Sequence, residues 1–517
     1  MLQRIFFLSL LCIGIAAAQA QSNKALTYTN PVLPLDYSDP DAIRVGDAYY
    51  MTASSFNHVP GLPILKSYDL VHWQLIGHAL TSLTPIEHFN TVRHGGGVWA
   101  PSIRFHNNQF YIYYPDPDFG IYVVTAKNIA GPWSAPVLVE AGKGLIDPCP
   151  LWDTDGNNYL VHAYAGSRAG IKSILVIKKL NAQATKVVDA GKLIYDGHDI
   201  DPTIEGPKLY KRGGWYYIFA PAGGVATGWQ TVLRSKNIYG PYERRVVMEQ
   251  GKTSVNGPHQ GAYLETPTGE SWFLHFQDKE AYGRIVHLQP MVWKNDWPII
   301  GGHSYNATVG NPVTSHALPV SAKAQLTETA HPNLLWQWQA NPQAHWKMNL
   351  NGVDRFYAVA KQDSTQNLWN APNLYLQKIP ADSFVFTVRL HFKPNQFGEK
   401  TGLILFGLDY AYLGLEKTAT GNQLIFVHCL GAEKNGKEQK QVIADRVSSS
   451  IYLNLTVKAG AIASFAYSTD GKLYTSAGEK FVAKPGKWVG AKMGLFCSGE
   501  RITNDAGFVE MISSSIN

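Results

Sequence analysis

Between residues 39 and 274 the chain repeats one order of polar and apolar positions five times. A polar or aromatic residue stands near a proline. A short apolar run follows, then a Gly/Asn/Asp turn, then a second run rich in Tyr, Phe and Trp. The five units are Asp39–Met51, Trp99–Ile112, Asp147–Leu160, Glu205–Ile218 and Pro258–Leu274. Each reads as a β-hairpin. Their starts lie roughly 50–60 residues apart, the spacing of four-stranded propeller blades rather than of sandwich strands. A second echo falls late in three units, at Ser67–Trp73, Ala126–Trp133 and Ser235–Tyr242, and reads as the turn that joins the third strand to the outer one. The pattern predicts an all-β chain that opens with a five-bladed β-propeller over residues 26–305.

The blade pattern stops after Trp297-Pro298. Residues 306–325, rich in Ala, Pro, Ser, Thr and Val, read as a linker. From 326 to 517 short alternating strands follow at Phe384–Phe392, Gly402–Leu408, Leu424–Cys429, Ile451–Lys458 and Lys492–Phe496, which predicts a β-sandwich. Neither half holds a helix-period segment of useful length.

Composition agrees with an all-β reading and narrows the partner. Aromatics make up 12 % and charged residues 16 %, with 47 Gly and 29 Pro for tight turns. Aromatic rings also cover the apolar faces of pyranose sugars, although most of these are strand and core residues. A net charge of +6 without any Lys/Arg run leaves no nucleic-acid footprint and points to a neutral ligand. Arg4, the apolar run Ile5–Ile15 and Ala18-Gln19-Ala20 read as a signal peptide over residues 1–20, which predicts export to the periplasm or the medium. Leu11 before Cys12 argues against lipid attachment. No later stretch is long and apolar enough to span a membrane. Past residue 20 the cysteines are Cys149, Cys429 and Cys497, enough for at most one disulfide and one free thiol, and no C-x-x-C pair suggests zinc.

In a propeller the first strand of each blade lines the central axis. The residues that lead the five units, Asp39, Trp99, Asp147, Glu205 and His259, are therefore expected to converge at one end of it. Three acids there repel one another and raise each other's pKa, a cost that structure alone does not require. Cleaving a glycosidic bond does require it. One carboxyl must be protonated to donate to the leaving oxygen, another ionised, and a third charge nearby holds the two pKa values apart. Asp before Pro is common in turns, and Glu before Gly-Pro is usually solvated. What singles out Asp39, Asp147 and Glu205 is their equivalent place in the repeat, while Asp41, Asp47, Asp153 and Asp155 fall in turns or beside them.

These residues resemble glycoside hydrolase family 43. The likeness is carried by Asn30-Pro31 with Ser38-Asp39-Pro40-Asp41, by Val98-Trp99-Ala100-Pro101, by Ile146-Asp147-Pro148, by Glu205-Gly206-Pro207-Lys208, and by Gly283-Arg284 leading into His287–Trp293. Gly398–Leu403, Asp409–Ala411 and Trp488–Phe496 are similar to the concanavalin-A-like sandwich of the family's xylosidase-type members. The resemblance implies an inverting, exo-acting hydrolase, a β-xylosidase, an α-L-arabinofuranosidase or both. Asp39 would be the general base, Glu205 the general acid, and Asp147 the residue that raises the pKa of Glu205 and orients it. Phe56 and Trp99 would wall the sugar pocket, and Arg284 would stand near the sugar hydroxyls. His259 would lie on the axis near a bound water or a calcium ion. The implied partner is a plant cell-wall oligo- or polysaccharide, with no obligate protein partner. Glu399-Lys400-Thr401 departs from the family's usual aspartate and small residue, a change expected to touch the sandwich edge. In related enzymes a sandwich loop closes part of the active-site mouth. The competing readings are an endo-acting arabinanase or xylanase on the same fold and a non-catalytic carbohydrate-binding propeller, against which the intact acid trio argues. A retaining fructan-type hydrolase would want a different first blade.

Overall fold

The computed structural model describes residues 26–319, 332–360 and 367–517. The expected signal peptide and Cys12 lie outside them, as do linker residues 320–325 and the expected first residues of the sandwich, 326–331.

Five four-stranded antiparallel sheets follow one another, each made of four consecutive strands. The first holds Asp41–Val45, Ala48–Thr52, Gly61–Ser67 and Gln74–Leu80. The inner strands of the other four are Ser102–His106, Leu145–Trp152, Lys208–Arg212 and His259–Glu265. Every inner strand pairs with the strand that follows it, so each repeated hairpin opens a blade. The three echoed turns stand where expected, between third and fourth strands. The ring is sealed by the N-terminal segment running along the fifth blade. Asn30 accepts from Leu288 N–H and donates to the Leu288 carbonyl, both at 2.8 Å.

Near the axis, polar side chains tie blade to blade. Asp41, expected in or beside a turn, instead begins the inner strand of the first blade, wholly buried. Its Oδ2 accepts from Arg104 Nη1 at 2.6 Å and from Ile103 N–H at 2.8 Å. Burying a carboxylate is costly unless it is paired, and Arg104 supplies the partner here. Buried Lys208 donates to the Pro101 carbonyl at 2.6 Å and to Ser102 Oγ at 2.8 Å. Arg104 Nη2 also meets Cys149 Sγ at 2.8 Å. Cys149, Cys429 and Cys497 are all buried, and the disulfide that their number allowed does not form among them.

Part of the expected linker belongs to the propeller. Ser315–Ala317 pairs antiparallel with Thr27–Thr29, and Gly302 pairs with Asn311. Beyond it two sheets pack face to face. In one, Phe384–Lys393 alternates buried and more open positions, the period-two pattern of a strand with one face on the core. The five strands read from the sequence all form, as Phe384–Lys393, Lys400–Phe406, Gly421–Cys429, Ser450–Lys458 and Lys492–Gly499. Glu399–Thr401 does not touch a sheet edge. Lys400–Phe406 lies between Lys492–Gly499 and Tyr410–Thr418, and buried Glu399 accepts the backbone N–H groups of Asn395, Gln396 and Gly507.

The sandwich is fastened to the first blade. Val59 and Trp338 exchange backbone hydrogen bonds, Asn57 donates to the Gln339 carbonyl at 2.7 Å, and Asn341 pairs with both backbone groups of Leu83. This brings the loop around Trp488 to the axial end of the propeller.

Candidate active site

Asp39, Asp147, Glu205, Phe56, Trp99, Arg284 and His259, all singled out from the sequence, line one cavity of about 120 Å³. Ala100, Ile146, Val225, Gln260 and Trp488 complete its wall. Trp488 comes from the sandwich.

The backbone is strained at this site. Asp39 (φ 54°), Phe56 (51°), Asp147 (58°), Gln260 (36°) and Trp488 (66°) all hold positive φ without being glycine. For Phe, Trp and Gln this is a costly conformation, and such residues concentrate where the surrounding fold holds a side chain to a task.

Asp39 is buried and fully engaged. Its Oδ2 accepts from Ser38 Oγ at 2.8 Å and from Ser54 Oγ at 2.5 Å, and its Oδ1 stands 3.2 Å from Arg284 Nη1. Two hydroxyl donors and one guanidinium thus hold the carboxyl oxygens in place, the setting of a residue positioned to act as a base. Arg284 also donates to Ser38 Oγ at 2.6 Å. It lines the pocket as expected, but that nitrogen is already committed to the base.

Asp147 and Glu205 lie close enough to perturb each other. Burial, then the charges of Asp147 and Asp39, pushes Glu205 up to about 8. Burial also raises Asp147, but the Gly206 N–H at 2.7 Å opposes this, together with Lys208. Of the pair, Asp147 holds the donor that stabilises an anion, so the shared proton belongs on Glu205. About a quarter of the Glu205 side chain (28 %) is open to solvent, which leaves it accessible to a leaving group.

His259 Nε2 is 3.4 Å from Glu205 Oε1. Burial, then Arg284, drops the imidazole to about 3, so it is neutral, and neither ring nitrogen has a hydrogen-bond partner. Calcium takes six to eight oxygen ligands. Here one nitrogen is offered, and among the described residues no group of three or more His, Cys, Asp or Glu could hold a metal. The donor set does not fit a protein-held calcium.

Phe56 and Trp99 meet edge to face at 6.5 Å, and the Trp99 indole is fixed by a 2.8 Å hydrogen bond to the Gly95 carbonyl. Trp488 closes the wall from the other domain, 6.4 Å from Trp99 and 5.8 Å from the Arg284 guanidinium. Its loop is held by Asp36, whose two oxygens accept Arg284 N–H at 2.8 Å and Gly490 N–H at 3.0 Å. The sequence reading missed Trp488, Gln260 and Asp36 as site residues. The only available signals were the adjacency of Gln260 to His259, the place of Trp488 in the sandwich motif, and the position of Asp36 three residues before the base.

Residues 28–298 match the model of glycosyl hydrolases family 43, and residues 328–510 match the β-xylosidase C-terminal concanavalin A-like domain. The chain is 37 % identical to a putative β-xylosidase of Xylanibacter ruminicola, over 95 % of this chain and 90 % of that protein. It is 31 % identical to a β-xylosidase of Formosa agariphila, over 94 % and 89 %. A non-reducing end α-L-arabinofuranosidase of Bacteroides ovatus is 28 % identical, over 81 % and 80 %. In fold it matches a family 43 protein of Bacillus licheniformis with a TM-score of 0.81, at 24 % identity over 95 % of this chain and 99 % of that one.

Proposed function

The chain belongs to glycosyl hydrolases family 43, and on that premise we propose that it removes single terminal xylose or arabinose units from plant cell-wall saccharides, with inversion at the anomeric carbon. The observation that carries this reading is the trio Asp39, Asp147 and Glu205 on one pocket of about 120 Å³, room for one sugar unit rather than a chain. Asp39, held in place by its serine donors and Arg284, takes the proton of the attacking water. Glu205, kept protonated by burial and by Asp147, gives its proton to the departing glycosidic oxygen. Asp147, held by Gly206 N–H, keeps the acid's pKa high. The aromatic walls Phe56, Trp99 and Trp488 shield the sugar from bulk water.

Xylosidase and arabinofuranosidase names both occur among the relatives, and the two pentoses present similar shapes to a small pocket. Hydrolysis of aryl β-D-xylopyranoside and aryl α-L-arabinofuranoside, with NMR of the first-formed sugar, tests the proposal. Turnover of at least one, giving the opposite anomer, is expected. Turnover of neither, or retention, overturns it. Export rests on residues 1–20. Recovery of a chain shortened at Ala20 from the periplasm or the medium would support it, and an uncleaved cytoplasmic chain would refute it.

A further inference from the structure

Gln260 is a pocket residue with no part in the mechanism above. It follows His259 directly, and strict alternation would turn one of the two away from the axis. The pairing of His259–Glu265 with Ser271–Asp278 breaks register between His259 and Gly261. The extra residue of this bulge is Gln260, at φ 36°. Bulges of this kind re-aim a side chain beside active sites. As a result both neighbours line the cavity.

The amide is buried, yet its Nε2 makes no aligned hydrogen bond. It is near enough to Asp147 to favour that carboxylate's ionised form, without the geometry that would satisfy the donor. Gly206 holds it in place. At φ +58° a Cβ on Gly206 would stand 2.7 Å from Gln260 Cδ, so the absence of a side chain there makes room for the amide. A strained backbone, a reserved space and an unpaired buried donor on a pocket wall have no packing rationale, since Met or Leu fills such a space without stranding a polar atom.

We propose that Gln260 is a substrate-contacting residue, its Nε2 donating to a hydroxyl oxygen of the bound terminal sugar. This rests on the glycosidase reading above. The amide takes the donor role because Nε2 is its unpaired atom and a sugar hydroxyl oxygen can accept from it.

The test uses the full chain with Gln260→Met and Gln260→Gly. The glycine variant removes the amide while suiting the positive φ, so it keeps the test independent of folding. Measured quantities are kcat/KM on the aryl pentoside across pH, inhibition by the free product sugar, and the thermal midpoint. Both variants are expected to lose at least tenfold in kcat/KM and to bind the product sugar at least tenfold more weakly. The descending limb of the pH profile should move to lower pH, because an Asp147 without the amide is less ionised and raises the Glu205 carboxyl less. Gln260→Gly should unfold no earlier than the parent. Values within twofold of the parent overturn the proposal. So does a fall in kcat with unchanged product inhibition and an unmoved limb, which marks a structural residue. A parent chain that hydrolyses neither pentoside defeats the glycosidase reading itself, and this proposal with it.

Discussion

The indole of Trp488, on a loop of the sandwich, stands edge-on to the indole of Trp99 in the propeller, with ring centroids 6.4 Å apart and planes at 65°. The pocket is therefore completed by two domains. Trp488 keeps about half its surface exposed, so its removal should leave the fold standing and the sugar less enclosed. Trp488→Ala is expected to lower kcat/KM by roughly 30-fold, about 2 kcal/mol of lost contact. Most of the loss should appear in KM, because the ring touches the sugar and not the reacting bond. Steady-state kinetics on the preferred aryl pentoside check this, and a loss confined to kcat would contradict it.

Asp36 holds that arrangement together. Its carboxylate takes the N–H of Arg284 on one oxygen and that of Gly490 on the other, and its backbone carbonyl accepts from Lys378 of the sandwich. Asp36→Ala strands two buried N–H groups, each costing about 1–3 kcal/mol. The thermal midpoint should fall by roughly 5 °C or more, with a change in tryptophan fluorescence as the Trp488 loop loosens. Asp36→Asn keeps one acceptor oxygen and should fall between parent and Ala. A midpoint unmoved in both variants would remove Asp36 from this role.

The leading residues of the blades were legible because a propeller turns sequence period into spatial convergence. Asp39, Asp147 and Glu205 needed only the repeat to be recognised. Asp41 was not legible in the same way. Its partner Arg104 lies one blade on, and nothing local distinguishes a buried ion pair from a turn carboxylate. Gln260 was hidden by alternation, since the bulge that turns it inward arises from pairing with the next strand. Trp488 was hidden by distance along the chain, because its neighbours Trp99 and Arg284 lie in the other domain. The strand Ser315–Ala317 reads as linker in the sequence because its partner, Thr27–Thr29, lies at the far end of the propeller sequence.

Gly206 supports two site residues at once. Its N–H meets Asp147 at 2.7 Å, and its missing Cβ leaves room for Gln260. Gly206→Ala forces a side chain into a left-handed backbone and into contact with the amide. It should cost roughly tenfold or more in kcat/KM, at about 1.4 kcal/mol per factor of ten. The loss should be non-additive with Gln260→Gly, because the second change vacates the space that the new methyl needs. Full additivity of the two in a double-mutant cycle would show that they act separately.

The pH dependence follows from Glu205. Its carboxyl is raised from 4.5 to about 8 by burial and by Asp147 and Asp39. The acid is active while protonated, so the descending limb of kcat/KM should fall near pH 8. Asp147→Asn removes the neighbouring charge and should draw that limb toward lower pH, along with a loss of rate. Glu205→Gln should abolish the limb while retaining some turnover of substrates whose leaving group needs no proton. Stability carries the same signature. From pH 4.5 to about 8 the folded chain holds a proton at Glu205 that the unfolded chain has released. The stability tied to that proton is thus full below pH 4.5 and is lost as pH rises through about 8. Glu205→Gln has no such proton to lose, so the fall in its thermal midpoint between pH 5 and pH 9 should be smaller than the parent's (the two pH values chosen to bracket the window, roughly, at which the carboxyl titrates). Parallel falls in parent and variant would place the proton elsewhere and remove Glu205 as the acid.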